Sequence, residues 1–335
     1  MDAEVSSSLL SQESKEKRNP GLENLKITFK LFFKSRLAFV GFIITLIYFV
    51  IAIMDTVYPQ YLGVTNLSSM VYLLHGQVVS SSATPVAPSF NKGWYFWLGT
   101  TEFNFPILPA ILESLKFDMS ASILIVGVGA IIGVIIGTVS GYFGGITDET
   151  VMRITDIFFS LPFFVFAIAM VAILQVALHV APIDDIVIAL VIIWWPIYAR
   201  LSRGTALTIK SQKFVEAATA SGSSGMRNVF VHIMPNVLSA IFVQFSLDLG
   251  TVVGIFAGLD YLGINFGGTF FPELGNLIAE GQPYFGAPYV LNGQILGSSI
   301  WWPVLMPGIA LLIFIVAVNL MGDGLRDVLD PKLRR

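Results

Sequence analysis

The sequence predicts an all-α integral membrane protein with six transmembrane helices and both termini in the cytoplasm. Three observations carry this. Hydrophobic residues make up 55% of the 335 residues and charged ones only 12%, with a mean hydropathy of +0.78, far above that of a soluble domain. Apolar runs recur at lengths near the roughly 20 residues needed to cross a hydrocarbon core about 30 Å thick. The basic residues also segregate: with the N-terminus inside, all but Lys92 and Lys116 of the 19 Lys and Arg fall on the cytoplasmic side, as the positive-inside bias requires. Asp55, Glu102, Glu113, Asp118, Asp184, Asp185, Asp260, Glu273 and Glu280 fall outside, so the outer face is acidic.

Residues 1–36 form a cytoplasmic tail in which "LENLKITFKLFFKSR" combines Leu22, Leu25, Phe29, Phe32 and Phe33 with four basic residues, the pattern of an interfacial helix. No cleavable signal is evident, because the first apolar run is long enough to span and stay. The first span is 37–57. A long outer loop, 58–118, contains the low-complexity stretch "SSSATPVAPS" and a glycosylation-type "NLS" at Asn66, whose default state is unmodified. The transmembrane core, 119–322, holds spans at 119–142, 157–178, 185–200, 236–258 and 302–322. The fourth of the six is short and bounded by Asp184, Asp185 and Arg200. A cytoplasmic loop occupies 201–235, an outer loop 259–301, and a cytoplasmic tail 323–335.

Several chemistries are excluded. The absence of cysteine removes disulfides, thiolate metal sites and thiol nucleophiles. His75, His179 and His232 are too scattered for a metal site, and no catalytic residue, metal, bound cofactor or nucleic-acid partner is expected. No G-x-x-x-x-G-K-[ST] loop occurs, so ATP is not bound by this chain.

Three features inside the membrane core stand out. Gly129, Gly133, Gly137 and Gly141, spaced by four, keep small residues near one helix face. Such a face lets helix backbones approach closely in lipid, here within the subunit or against a partner. A second reading has it line a pathway. Asp248 lies near the middle of a span, where a charge costs roughly 2.5–3.5 kcal/mol on insertion scales. It and Gln244, one turn earlier, either line a translocation path or hydrogen-bond to a neighbouring helix. Finally, "KFVEAATASGSSGMRNVFVHIMPN" interrupts the apolar pattern at 213–236. Good helix formers up to Ala220 predict a short helix, "SGSSG" breaks it, and a second helix starts near Met226 and runs into span five past Pro235. Glu216 supplies a charged handle beside the small Ala217 and Ala218.

That segment also resembles the EAA loop of ATP-binding-cassette importer permeases, with Glu216, Ala217, Ala218, Gly222 and Pro235 in register. His232 and Met234 stand where the general pattern has Ile and Leu, but "HIMPN" is similar to the HILPN form of the dipeptide, oligopeptide and nickel branch. "FFKSRLAFVG", "WWPIYARLSRG", "DYLGINFGG", "WWPVLMPG" and "NLMGDGLRDVLDP" resemble other segments of that branch, the last being typical of its C-type subunit. Departures fall outside: "TEFNFPILPAILESLKFDMS" replaces the usual GRD segment, and "GAPYVLNGQILGSS" is extra length.

The resemblance implies a type I ABC importer permease fold in the plasma membrane. It further implies a homologous second permease subunit, two ABC ATPase subunits carrying ATP and magnesium, an external substrate-binding protein, and contact with membrane lipid. The loop at 213–222 would couple ATP hydrolysis to movement of the spans, and the solute would be a short peptide, with oligosaccharides next and nickel least favoured. Two other readings stay open: a secondary transporter using Asp248 as its proton or ion site, and a membrane anchor that recruits an enzyme through 201–235.

Overall fold

The computed structural model describes residues 32–57, 85–91, 93–101, 105–178, 182–264, 273–291 and 294–329. The interfacial stretch before Phe32, Asn66, His75, Lys92, Glu102, His179 and the last six residues lie outside these. In chain order the elements are α1 Arg36–Val57, α2 Ile107–Phe143, α3 Gly145–Ser160, α4 Phe163–Leu178, α5 Pro182–Lys210, α6 Lys213–Ala220, α7 Met234–Tyr261, α8 Leu274–Gly281, β1 Pro288–Leu291, β2 Gln294–Ser299 and α9 Trp302–Leu329. Five helices, α1, α2, α5, α7 and α9, are long and apolar enough to cross a membrane. The pair α3 and α4, bent by 98° at its break, passes the same test together and completes six. Helices are what a hydrocarbon solvent demands, since every backbone N–H and C=O must find its partner within the segment.

The helices depart from the hydropathy reading where charges or prolines intervene. α2 starts at Ile107, well before the apolar run at 119, and so takes in Glu113, Lys116 and Asp118. Two of these have partners: Lys116 Nζ lies 3.9 Å from Asp55 Oδ2 on α1, and Asp118 Oδ2 accepts the Leu274 N–H at 3.4 Å. α5 continues past Arg200 to Lys210, so the cytoplasmic loop read from 201 begins as helix. The third span, read as continuous over 157–178, is interrupted. Leu161 adopts an extended conformation (φ −93°, ψ 138°), as a residue before proline must when it is driven from the helical region. The loop 259–301 also holds a two-stranded antiparallel hairpin, with Val290 opposite Ile295, which an all-helical reading did not include.

The most extensive helix pairing joins α2 and α5, which run parallel. A Cβ at Gly129 would stand 2.9 Å from Trp194 Cβ, one at Gly133 2.5 Å from Tyr198 Cβ, and one at Gly141 3.0 Å from the Arg203 carbonyl. At Gly137 it would overlap the Ala199 backbone. The four-residue glycine series is therefore the seam of this pair, within the subunit. α1 packs on α9 in the same manner: a Cβ at Gly41 would lie 2.6 Å from the Ala317 carbonyl, and Gly324 abuts Ala38. Tyr48 Oη donates to the Ala310 carbonyl at 2.9 Å and stacks on Phe314. The rest of α1 presents exposed apolar side chains such as Leu37, Leu46, Ile47, Val50 and Ile53, a surface suited to lipid or a membrane partner.

The two ends of the bundle differ in charge. Arg36, Arg153, Arg200, Arg203, Lys210, Lys213 and Arg227 lie at one, termed the basic end. Asp55, Asp118, Asp185, Asp260 and Glu273, all buried, lie at the other. At the acidic end α8 tucks in, with Gly275 against Ala257 and Gly281 against Pro303. Its N-terminus meets two carboxylates, since Glu273 accepts the Asn276 N–H at 2.6 Å beside the Asp118 contact. Burial pushes the Glu273 carboxyl above its ordinary value, while the hydrogen bonds from Asp260 and from the backbone N–H groups of Gly275 and Asn276 oppose this.

Because the obstacle at Gly137 is backbone and cannot rotate away, Gly137→Leu is expected to lower stability by at least about 1–3 kcal/mol. Thermal unfolding of the purified protein in detergent measures this. Gly127→Ala, on the same helix but with nothing within 4 Å of the added carbon, is expected to leave the transition unchanged or raise it.

Candidate functional site

At the basic end, α5 stops at Lys210 and Gln212 takes an extended conformation before α6, "KFVEAATA", begins. Only Val215 of this short helix is buried, at 2% exposure, and anchors it to the bundle. Lys213, Phe214, Glu216 and Ala217 are exposed and Ala218 is half-buried, so the outward surface is a narrow strip of small side chains flanked by one acid and one aromatic ring. α6 closes through a Schellman motif. The Ser223 N–H donates to the Ala218 carbonyl at 3.1 Å and the Gly222 N–H to the Thr219 carbonyl at 3.0 Å. That motif needs a left-handed residue at Gly222, whose φ is +84°. A Cβ there would meet nothing within 4 Å, so the requirement for glycine is one of backbone conformation and not of space.

After Gly222 the chain turns back through Gly225–Arg227, where the Ser224 side chain accepts the Arg227 N–H. A π-helical segment follows over Asn228–Ile233 and leads into α7. Pro235 explains it. Proline has no N–H to offer the Val231 carbonyl and its ring crowds that oxygen, so an ordinary α-turn cannot continue. The chain widens instead: the Met234 N–H reaches five residues back to the Val229 carbonyl, and Asn236 Nδ2 donates to the His232 carbonyl at 2.7 Å. The proline and the asparagine after it thus act together. Glu216, Ala217, Ala218, Gly222 and Pro235 all belong to this one projecting unit.

Two Arg–Asp pairs fix the surroundings. Arg203 binds Asp148 of α3 through two hydrogen bonds, 2.5 Å from Nε and 2.7 Å from Nη2. Arg200 Nη2 lies 2.5 Å from Asp156 and its guanidinium sits 4.1 Å over the Phe159 ring. The bent helix α3 is thereby held against α5 at the level where α6 emerges. These arginines were not singled out from sequence, although their spacing of three on one helix, opposite acids on α3, is the signal that could have found them. Tyr142 and Asn228 also join this region, and no local pattern marks either.

Asp248 and Gln244 lie apart from the loop, in the interior of the bundle. Gln244 Nε2 donates to Asp248 Oδ1 at 2.8 Å, and Trp194 Nε1 on α5 donates to Oδ2 at 3.1 Å. Asp248 is 4% exposed and Trp194 1%, so the carboxylate pins α7 to α5 inside this chain. The hydrogen bond to a neighbouring helix is thus present, between α7 and α5.

A six-span helical bundle with a short helix projecting from its basic end, closed by a glycine and re-entering the bundle through a proline, defines a polytopic membrane protein. Residues 129–335 match the family described as binding-protein-dependent transport system inner membrane component, and the chain belongs to that family. It is similar to the dipeptide transport system permease protein of Alkalihalophilus pseudofirmus, with 31% identity over 91% of this chain and 89% of the relative. It is 34% identical to the glutathione transport system permease protein of Pectobacterium atrosepticum, over 71% of this chain and 73% of the relative. The di/tripeptide transport system permease protein of Pseudomonas aeruginosa shares 31% identity, over 74% and 76%. The chain is thus a multi-pass plasma-membrane permease subunit of an ABC importer, a transport subunit and not an enzyme, working with ATPase and substrate-binding components.

Two outcomes follow from this geometry. Gly222→Val, which forces a β-branched side chain into the left-handed region, is expected to cost at least about 1–2 kcal/mol locally and to speed amide hydrogen exchange across 213–220. Asp248→Leu leaves the Trp194 and Gln244 donors unpaired in an apolar interior, so a loss of about 1–3 kcal/mol is expected in thermal unfolding.

Proposed function

We propose that this chain forms half of a paired membrane pathway for short peptides, completed by a homologous permease subunit and fed by an external binding protein. α6 seats in a cleft on one of two ATPase subunits, which hold the ATP and magnesium. Closure of the ATPases moves α6, and the spans follow as rigid bodies, opening the pathway alternately to each side. The observation that carries this reading is the construction of the α6 unit. Its exposed strip of Glu216, Ala217 and Phe214 is offered outward, while its base is fixed to the bundle by Val215 and by the Gly222 closure.

Peptide is favoured as the solute because the similar permeases are those of dipeptide, di/tripeptide and glutathione systems. The outer segments that depart from the branch pattern, including the hairpin, lie where a binding protein would dock, and they leave oligosaccharides as the next class to test. The secondary-transporter reading is the less favoured, because Trp194 and Gln244 give the Asp248 carboxylate a structural role between α5 and α7.

Co-expression with the partner subunits and reconstitution into vesicles tests the proposal. Glu216→Lys is expected to reduce ATP-dependent uptake of a labelled dipeptide at least tenfold while the spans still insert. Asp248→Asn is expected to keep ATP-driven uptake and to show no dependence on a proton gradient. Undiminished ATP-driven uptake in the Glu216 variant would remove α6 from the mechanism.

A further inference from the structure

The projecting helix has to be tied to the spans if its movement is to reach them, and the ties are few. Val215 is the only fully buried side chain of α6. Among the described residues, the polar tie that reaches beyond its own loop passes through Asn228, which is 0% exposed. Asn228 Nδ2 donates to Thr219 Oγ1 on α6 at 3.0 Å and to Tyr142 Oη in the last turn of α2 at 3.1 Å. The orientation of the amide follows from its surroundings. The Thr219 hydroxyl gives its own proton to the Val215 carbonyl at 2.9 Å, so towards Asn228 it can only accept. Both N–H groups of the amide are then used, one for each element. Asn228 is itself the first residue of the π-helical segment that runs into α7.

Tyr142 is held from other directions as well. Lys210 Nζ, at the end of α5, donates to its carbonyl at 2.6 Å and lies 5.2 Å from its ring centroid. The Phe143 ring meets it edge-on at 5.1 Å, and a Cβ at Gly225 would come within 3.2 Å of both rings, so the turn after α6 packs directly on the foot of α2. One asparagine and one tyrosine therefore connect the ends of α2, α5 and α6 and the start of α7.

We infer that Asn228, with Tyr142 and Thr219, is the joint that passes displacement of α6 to α2 and α7, which makes Asn228 a positioning residue for transport. The inference rests on the coupling role proposed above for α6. Through Thr219 the joint takes up movement of the coupling helix. Through Tyr142 it delivers that movement to the helix whose glycine seam carries α5 with it, and through its own backbone it delivers it to α7. The π-helical turns beyond it are wider than an α-helix and let α7 follow without breaking at Pro235.

The test uses the complete complex with its partner permease and ATPases. Amide hydrogen exchange is compared with and without a non-hydrolysable ATP analogue in two segments, 213–222 and the basic end of α2 at 136–143. In the unaltered complex the nucleotide is expected to change exchange in both. In Asn228→Val the response at 213–222 is expected to persist while that at 136–143 falls at least threefold. Tyr142→Phe, which keeps the ring and removes only the acceptor, is expected to reduce the response at 136–143 in the same direction, and it serves if the Asn228 variant does not assemble. A response at 136–143 equal to that of the unaltered complex in both variants overturns the joint. So does loss of protection in both segments regardless of nucleotide, which marks a merely structural residue. No nucleotide response in either segment of the unaltered complex overturns instead the coupling role of α6 on which the joint rests.

Discussion

The α2–α5 seam is the constraint on which the rest of the structure depends. In hydrocarbon, helices gain little from burying apolar surface against one another, so their association rests on close contact between backbones and on a few hydrogen bonds. Four glycines on α2 allow the α5 backbone to approach until a single methyl group would collide with it. Two consequences follow from this registry. Trp194 is set where its indole N–H meets Asp248, which draws α7 onto the same pair. Because α2 and α5 run parallel, their ends also emerge together, and Tyr142 and Lys210 come within hydrogen-bonding distance beneath the projecting helix.

The basic end uses a different physics. Water competes there for every hydrogen bond, so single exposed ion pairs contribute little, and rigidity comes from doubled or shielded contacts. Arg203 grips Asp148 with two nitrogens, and Arg200 combines a carboxylate with an aromatic face. Asn228 is screened from solvent altogether. The short helix that faces outward is left almost free of such contacts along its exposed strip. Its position is set from behind, so its front remains available to a partner.

Much of this was legible in the amino-acid sequence, for reasons that are themselves physical. Crossing a membrane imposes a length and a composition, and those rules located the spans. The spacing of Gly129, Gly133, Gly137 and Gly141 marks a packing face directly. The helix–break–helix pattern of 213–236 follows from Ala-rich propensity, "SGSSG" and Pro235. Hydropathy failed where polar groups find partners far along the chain. The first turns of α2 carry Lys116 and Asp118, and their accommodation depends on Asp55 and Leu274, which no local window contains. Pro162 was read as lying inside a span, since its apolar flanks conceal the bend it forces. Whether Asp248 faced a pathway or a neighbour was open in the sequence because its partner Trp194 sits on another helix. Tyr142 and Asn228 meet across 86 positions, and nothing near either residue announces the other.

The bend between α3 and α4 has a consequence for the surrounding lipid. The described residues of α4, Phe163–Leu178, number 16, a length of about 24 Å, against a hydrocarbon core roughly 30 Å thick. The unbroken spans α2 and α7, with 37 and 28 residues, are longer than the core requires. A hydrocarbon core of ordinary thickness matches the unbroken helices and not the two arms of the broken one, so mismatch falls first on that span, to be met by tilt, by local thinning or by the packing of α4 on α5. Acyl-chain length then becomes a mechanical variable of the host membrane, one that bears on the bent span before it bears on any other.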